Sequence, residues 1–505
     1  MKCFKKIAAC GLVLAMVAGM TACDEGTAPS TPANPNAPVQ TTASTQASTT
    51  VDPDDAAGTD KEADNINTAV YQPSGNAGLV RYLSFYDLSK DQKGTEQCLV
   101  FTSEQYGGSL EQIATVSGSG YYEKLGALIA SDDSPDIALK DAFLNPETVS
   151  KNLFEPLDDL IDMNSPLWAD QADVIKSFGY KGKHYYYPHR ITTSFALNYN
   201  KKVIEEHNLP DPYELYMNGE WTWDAWRSMM LTWCNEDEAH VGFYATDTIV
   251  TSLIATTGTP LIQVNSDGTI INNINHPNVT RAMNFYEELY RDGVSYTEHT
   301  MGDWIDPAAF ATTASENLLF LGMEPEWTYT AFTEKLQNPT GPDSDIHDTP
   351  SDLAFVPFPR DVQADKYYQA YDTYGFVVPK GAKNKTGAVE MINCFRAYDV
   401  DPEIIAKVKE DHIHPEPEIF QSGKYEGKRK WVITWPEKEY DLWREMCDPN
   451  KFSFLTEGAF GCNADFWKQY GEILIGVVEQ GESWAQKSEE FNPTVEAIIA
   501  DYMDD

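Results

Sequence analysis

Few residues of this chain stand at spacings that do covalent chemistry. There is no Gly-x-Ser-x-Gly elbow, no His-Glu-x-x-His pair and no Walker loop. Gly118-Ser119-Gly120 precedes a helical pattern over 121–131, and glycines there can cradle phosphate. With no GxGxxG and no Lys-Ser/Thr ending, they read as a turn. Asp411-His412-Ile413-His414, with Glu416 and Glu418, could hold zinc from a strand, but the pattern is nonspecific and reads as a solvated loop. No Cys-x-x-Cys supports zinc or redox chemistry. The 78 acids offer many carboxylate pairs, yet only geometry selects a glycosidase pair and no motif favours one. The sequence therefore implies no catalytic residue, no metal and no cofactor.

Binding chemistry is better represented. Aromatic residues make up 12% of a chain with formal charge −41. Such a surface repels nucleic acid and anionic membrane. Aromatic faces stack on sugar rings, and carboxylates and amides take their hydroxyls; many of the 12 Trp and 27 Tyr simply fill cores. Trp226, Met229, Met230 and Trp233 share one helical face and read as packing rather than a sugar platform. Trp221 before the Thr222 cap and Trp226 inside the helix form a hydrophobic staple. Glu324 and Glu326 beside Trp327 suit either sugar hydroxyls or the capping of a helix start.

The elements that position these groups read as α/β. Residues 97–102, 113–116 and 134–139 read as strands around the helix 121–131, a series that indicates a parallel sheet. Ligands then sit beyond the strand C-termini, which places Ser103 to Tyr106, Glu104 included, and Lys140-Asp141 at a pocket rim. A hairpin over 178–187 turns at Gly182, and Pro188 should take the chain out of its sheet. A strand at 194–199 leads to an Asn200-capped helix over 201–207. Strand 241–244 feeds a helix from Asp247 whose N-terminus can face a cleft. A hairpin at 261–271, a helix over 277–292 ended by Gly293, strands 318–323, 353–357 and 374–378, and helices from Thr386 and Asn463 follow; Ser483 to Gln486 reads as a capping box for the last helix.

Residues 1–22 read as a targeting segment: Lys2, Lys5 and Lys6, then an apolar run to Met20 too short to span a bilayer. Losing those lysines would take the charge from −41 to −44. The stretch 24–65 is rich in Ser, Thr, Pro and Ala and reads as a disordered stalk; its acidic end, 52–64, lacks the turn-and-ligand spacing of a calcium loop. The folded part, from about residue 76, has some 430 residues, enough for two or three domains. Beyond Cys23 five cysteines remain, so at least one is free in a monomer; Cys447 and Cys462 are close enough in sequence for a bridge.

Met20-Thr21-Ala22-Cys23 resembles a bacterial lipobox, which implies lipid on Cys23. The Tyr-rich hairpin, Pro188, the polar residues and the strand ending Tyr199-Asn200-Lys201 resemble the first interlobe crossing of extracellular solute-binding proteins of ABC importers. The Ser134-Pro135-Asp136 strand, the Trp221-Thr222-Trp223-Asp224 helix start, Glu324-Pro325-Glu326-Trp327, a second crossing near 372–382 and the Asp465-Phe466-Trp467 helix start are similar to the same family, in its maltose-type branch. The resemblance implies a type II periplasmic-binding-protein fold, two α/β lobes with a cleft at the hinge. Lobe 1 would hold 76–192 with about 372–445, and lobe 2 would hold 193–371 with about 446–505. It implies a non-enzymatic, monomeric subunit, lipid-anchored to the outer face of the cytoplasmic membrane, that hands a carbohydrate to ABC permease subunits. Glu104, Lys140, Asp141, Arg190, Thr193, Asp247, Glu324, Trp327, Asp372 and Trp467 are the expected solute contacts. Maltose-type members carry an aromatic where Lys140 stands and a carboxylate near Thr193. The solute is then another glycan, or one with an anionic group facing Lys140 and Arg190. A peptide-binding protein and a cell-surface glycosidase are the alternatives.

Overall fold

The computed structural model describes residues 64–89, 94–116, 119–140, 144, 147–193, 195–244, 247–295, 317–326, 328, 353–414, 435–456 and 464–503. The expectations for residues 1–22, Cys23, Asp141, Trp327 and Cys462 lie outside these. Of Asp247 and Trp467 only the backbone is described.

Strands β1 (Gly78–Ser84), β2 (Gly108–Ala114) and β3 (Ile137–Leu139) run parallel, with β1 between the other two. A short hairpin, β4 (Gly179–Tyr180) and β5 (Lys183–His184), turns at Lys181 and Gly182, both at positive φ (48° and 72°). Two successive positive φ values make the twist of a hairpin turn, which glycine takes without strain. β6 (Tyr187–Thr193) then enters the first sheet, and β7 (Ala196–Asn200), two residues later, is already in the second. That sheet, ordered β12-β7-β11-β8, contains β8 (Val241–Tyr244), β11 (Leu318–Met323) and β12 (Leu353–Val356). β9 (Ile262–Val264) and β10 (Ile270–Asn272) form a separate hairpin. β13 (Tyr368–Val377) returns to the first sheet, pairing β6, β3 and β14 (Ser453–Thr456).

Apolar alternation buries each sheet on both faces. In β12, Ala354 and Val356 join the core with Trp226 and Tyr286, while Leu353 and Phe355 join the one with Trp435 and Trp443. In β1, Val80 and Tyr82 face the core holding Phe395, whereas Leu83 packs with Tyr121 and Phe154. The structure is thus two α/β lobes, each a sheet between helical layers. Trp221, Trp226 and Trp233 are each at most 1% exposed, which settles their role as core.

Several expectations are corrected. Residues 97–102 belong to a helix, Thr95–Phe101, not a strand; Gln97, Cys98, Val100 and Phe101 are its buried side. Pro188 stays within β6, opposite Gly375. The register shifts beside it, leaving His189 as the extra residue of a bulge. A Cβ on Gly375 would lie 2.7 Å from the Tyr186 ring, so this close approach requires glycine. The folded part begins before residue 76. Ile66 is buried and its amide donates to Gln105 (2.9 Å), the Asn67 amide donates to Asp401 (2.7 Å), and the Tyr71 hydroxyl donates to Glu390 (3.0 Å). The helix Glu437–Met446 puts Tyr440, Leu442, Trp443 and Met446 against strands of the second sheet, and it also meets β6 of the first. His412 and His414 end a helix, Pro402–Ile413, and no metal-binding group of three occurs among the described residues. Gln486 donates to Glu490 instead of closing a box. Asn200 and Thr222 do cap their helices, and Gly293 closes its helix at φ 74°. No described helix is long and apolar enough to cross a membrane.

Candidate functional site

The site forms where β6 and β13 run past the carboxyl end of β3. β3 pairs β13 only at Phe376 and Val377, so Tyr374 and Asp372 extend beyond it, toward the second sheet. Lys140 follows β3 directly. Its amide donates to the Gly375 carbonyl (2.9 Å), and its ammonium donates to Asp372 at 2.9 Å. Across the β6–β13 ladder Arg190 stands opposite Tyr374 and Thr192 opposite Asp372. The Arg190 guanidinium lies over the Tyr374 ring, 4.9 Å from its centre. Such a cation over an aromatic face is held electrostatically and is stronger when desolvated.

The second lobe contributes from the end of β11. Glu324 follows that strand at once, and Glu326 places Oε2 3.8 Å from Arg190 Nη2. Burial works against the Arg190 charge, but Glu326, Asp399, Tyr374 and Glu324 outweigh it and raise the guanidinium above its ordinary value. Burial, with Glu324 adding to it, raises the Tyr374 phenol, so it is a neutral hydroxyl donor. Arg190 Nε and Thr192 Oγ1 are buried and find no hydrogen-bond partner among the described residues. A buried polar group left unpaired costs about 1–3 kcal/mol. An oxygen-rich solute that meets these groups recovers that cost.

Seven groups are therefore brought together: Lys140, Arg190, Thr192, Asp372 and Tyr374 from one lobe, with Glu324 and Glu326 beside Arg190 from the other. Glu104 is not among them. Since 95–101 is a helix, the following turn enters β2 at its amino end, beside Gly75 and Gly78, and Glu104 is exposed there. Thr193 pairs with Tyr371, in the opposite-facing set of the ladder; it is 1% exposed. Counting by two from Arg190 finds Thr192, a signal present in the sequence and passed over. Asp247 opens the helix Asp247–Ala255 at the carboxyl end of β8, and Trp467 lies in the first turn of the helix Ala464–Gln480.

Two α/β lobes joined by crossing strands, with the first sheet ordered β2-β1-β3-β13, have the architecture of the type II class of periplasmic binding proteins. A family model for bacterial extracellular solute-binding proteins matches residues 100–401, and the chain belongs to that family. Its fold is similar to that of the sugar-binding protein MalE from Xanthomonas citri: 15% identity, TM-score 0.58, covering 84% of this chain and 98% of that one. UgpB from Mycobacterium tuberculosis, solved with glycerophosphocholine, aligns with 14% identity and TM-score 0.56 over 84% of this chain and 99% of its own. An ABC transporter solute-binding protein from Thermotoga lettingae, bound to α-D-tagatose, gives 16% identity and TM-score 0.54 over 84% and 99%. At these identities the likeness is one of fold. No curated protein matches the chain.

Proposed function

We propose that this chain is the solute-binding subunit of an ABC importer, lipid-anchored through Cys23, which captures a sugar or oligosaccharide between its lobes and delivers it to a membrane permease. The observation that carries the reading is the Arg190 cluster. Groups from the strand ends of both lobes meet there, with buried donors left over for a polyhydroxylated ligand. A solute that contacts both lobes favours the closed form, and that population shift is the signal a permease can read. Trp327 and Trp467 are further proposed contacts.

Thermal melts of the full chain in detergent, against a panel of mono- and oligosaccharides, test the reading. A ligand at a hundredfold excess over its Kd stabilises by about 2.7 kcal/mol. A rise in Tm with one glycan type, abolished in Arg190→Ala, supports it. No rise with any sugar overturns the carbohydrate assignment and leaves the fold untouched. Anchoring is tested separately: Cys23→Ala should release the protein from membranes into the medium.

A further inference from the structure

We propose that Arg396 and Asp399, near the end of the helix Lys385–Val400, are positioning residues of the solute site: they hold the β6 bulge at His189, and that bulge turns Arg190 to the face where Tyr374 and Asp372 stand. This rests on the reading that Arg190 meets the solute. Alternation along the ladder shows why the bulge matters. Phe376 on β13 and Tyr187, opposite it on β6, join one core of the first lobe, while Tyr371 and Val377 join the other. Side chains alternate along a strand, so Asp372 and Tyr374 share the side of Phe376. Straight counting by two from Tyr187 would put Ile191 on that side and turn Arg190 and Thr192 away from it. The observed order is the reverse. Ile191 packs with Tyr371 and Val377, and Arg190 and Thr192 stand opposite Tyr374 and Asp372. One extra residue, His189, resets the count, since a one-residue slip flips every side chain beyond it. Without the bulge, Arg190 would fall opposite Thr373, on the side of Tyr371 and Tyr186.

The extra residue of a bulge stands outside the ladder pairing. Here its backbone and its side chain are both taken by one helix. The His189 carbonyl accepts from Arg396 Nη1 at 3.1 Å, and the His189 Nδ1–H donates to Asp399 Oδ2 at 2.6 Å. The imidazole stacks on Phe376, 6.0 Å between centres, and meets Phe395 of the same helix edge-on at 5.2 Å. The two clamping side chains are themselves fixed. Arg396 Nε donates to the Leu167 carbonyl at 3.0 Å and Nη2 donates to Asp170, while Gln97 donates to the other Asp399 oxygen at 3.3 Å. The Arg396 and Asp399 side chains are only 5% and 12% exposed, so both act on a solute through the strand and not by contact. Every part of this clamp belongs to the first lobe. Arg190 is therefore aimed before the lobes close, and its ordering is not charged against solute binding.

The test reads Arg190 directly, in the ligand-free full chain in detergent, by 1H–15N correlation of the arginine Nε–H groups. The Arg190 signal is the one that disappears in Arg190→Lys. Asp399→Ala removes the acceptor, and Arg396→Lys cannot reach all three partners of the guanidinium; each should move or broaden the Arg190 signal. Asp399→Asn keeps an oxygen for the His189 Nδ1–H and loses only the charge, so it should return the signal close to its wild-type position. An Arg190 signal unmoved in either of the first two variants overturns the proposal, however far the Tm falls. A shift in Asp399→Asn as large as in Asp399→Ala also overturns it, because charge alone then accounts for the effect. Should Asp399→Ala not fold, Arg396→Lys decides.

Isothermal titration with maltotriose, raffinose, cellotriose and xylotriose ties this aim to binding. Asp399→Ala should weaken the sugar that binds best by tenfold or more, yet by less than twofold in the Arg190→Lys background, where the fork it positions is already gone. Equal losses in both backgrounds overturn the positioning role. If none of these sugars binds the wild type, the carbohydrate reading falls, while the Arg190 signal still decides the clamp.

Discussion

Arg190 and Trp226 are both conspicuous residues, and their surroundings assign them opposite roles. Arg190 keeps a buried Nε without a partner among the described residues and faces acids from the other lobe. Trp226 is fully buried between Phe243, Phe285 and Phe320. Trp226→Ala should therefore cost about 3–5 kcal/mol of stability, read by urea unfolding, with solute affinity of the folded protein unchanged; a selective loss of affinity would move Trp226 into the site. His189, the bulge residue next to Arg190, gives a pH dependence. Its Nδ1–H donates to Asp399 at 2.6 Å. Burial lowers the His189 imidazole below its ordinary value, helped by Arg190 and Arg396 and opposed by Asp399. Burial pushes the Asp399 carboxyl up, but His189, Arg190 and Arg396 outweigh it and hold it low. Both groups bind protons more readily in the unfolded chain, so stability falls as pH falls. The loss begins near the unfolded histidine value, about 6.5, and a second loss starts near that of aspartate, about 3.9. The urea midpoint should decline between pH 8 and 5, and His189→Gln, though less stable throughout, should flatten that decline. A slope unchanged in the variant would show that another group carries it.

At the scale of elements, the segment 64–77 behaves as a strap. Besides its ties to Gln105, Asp401 and Glu390, the Ser74 amide donates to Glu390 at 3.1 Å and Lys407 donates to Asp64 at 2.6 Å. Net hydrogen bonds contribute about 1 kcal/mol each, and the solvent-exposed Lys407 pair adds little. A chain beginning at residue 78 should lose about 2–4 kcal/mol relative to one beginning at 64, with Lys385–Val400 exchanging its amides faster; equal stability would make the strap incidental. Its signal was faint in the sequence: Ile66, Val70 and Tyr71 are its first large apolar residues after a long polar stretch. Other elements were legible because their patterns were long or punctuated. Pro277–Asp292, with Pro at its start and Gly293 at its end, and the alternating β12 came out as read. The six-residue run at 97–102 did not, since so short an apolar segment fits a strand or a helix turn equally. That one misreading carried Glu104 to the wrong end of the sheet. Asp372, Lys140 and Arg190 were legible as a site only through the order of elements. Their pairing depends on a ladder between strands about 180 residues apart, which no local pattern encodes.

Across the whole molecule, charge sets a condition on stability that no single ion pair reveals. The chain carries 78 acids against 37 lysines and arginines. Many of its ion pairs are exposed, as in Lys176–Asp173, Lys383–Asp132 and Lys202–Glu206, and pairs of that kind contribute at most about 1 kcal/mol each. The excess negative charge repels itself over the whole surface and opposes the compact state. Salt weakens both terms, since its screening length is about 10 Å at 0.1 M. The two then compete with opposite sign, and an excess of 41 negative charges over the whole chain, most of it on the lobes, outweighs a few solvated pairs. Raising sodium chloride from 10 mM to 150 mM should therefore raise the Tm of the ligand-free protein, most steeply at the low end where screening changes fastest. A Tm that falls over the same range would mean that the attractive pairs dominate. The lobes would then be held by specific electrostatic contacts, the Arg190–Glu326 pair among them, and not merely tolerated against their own repulsion.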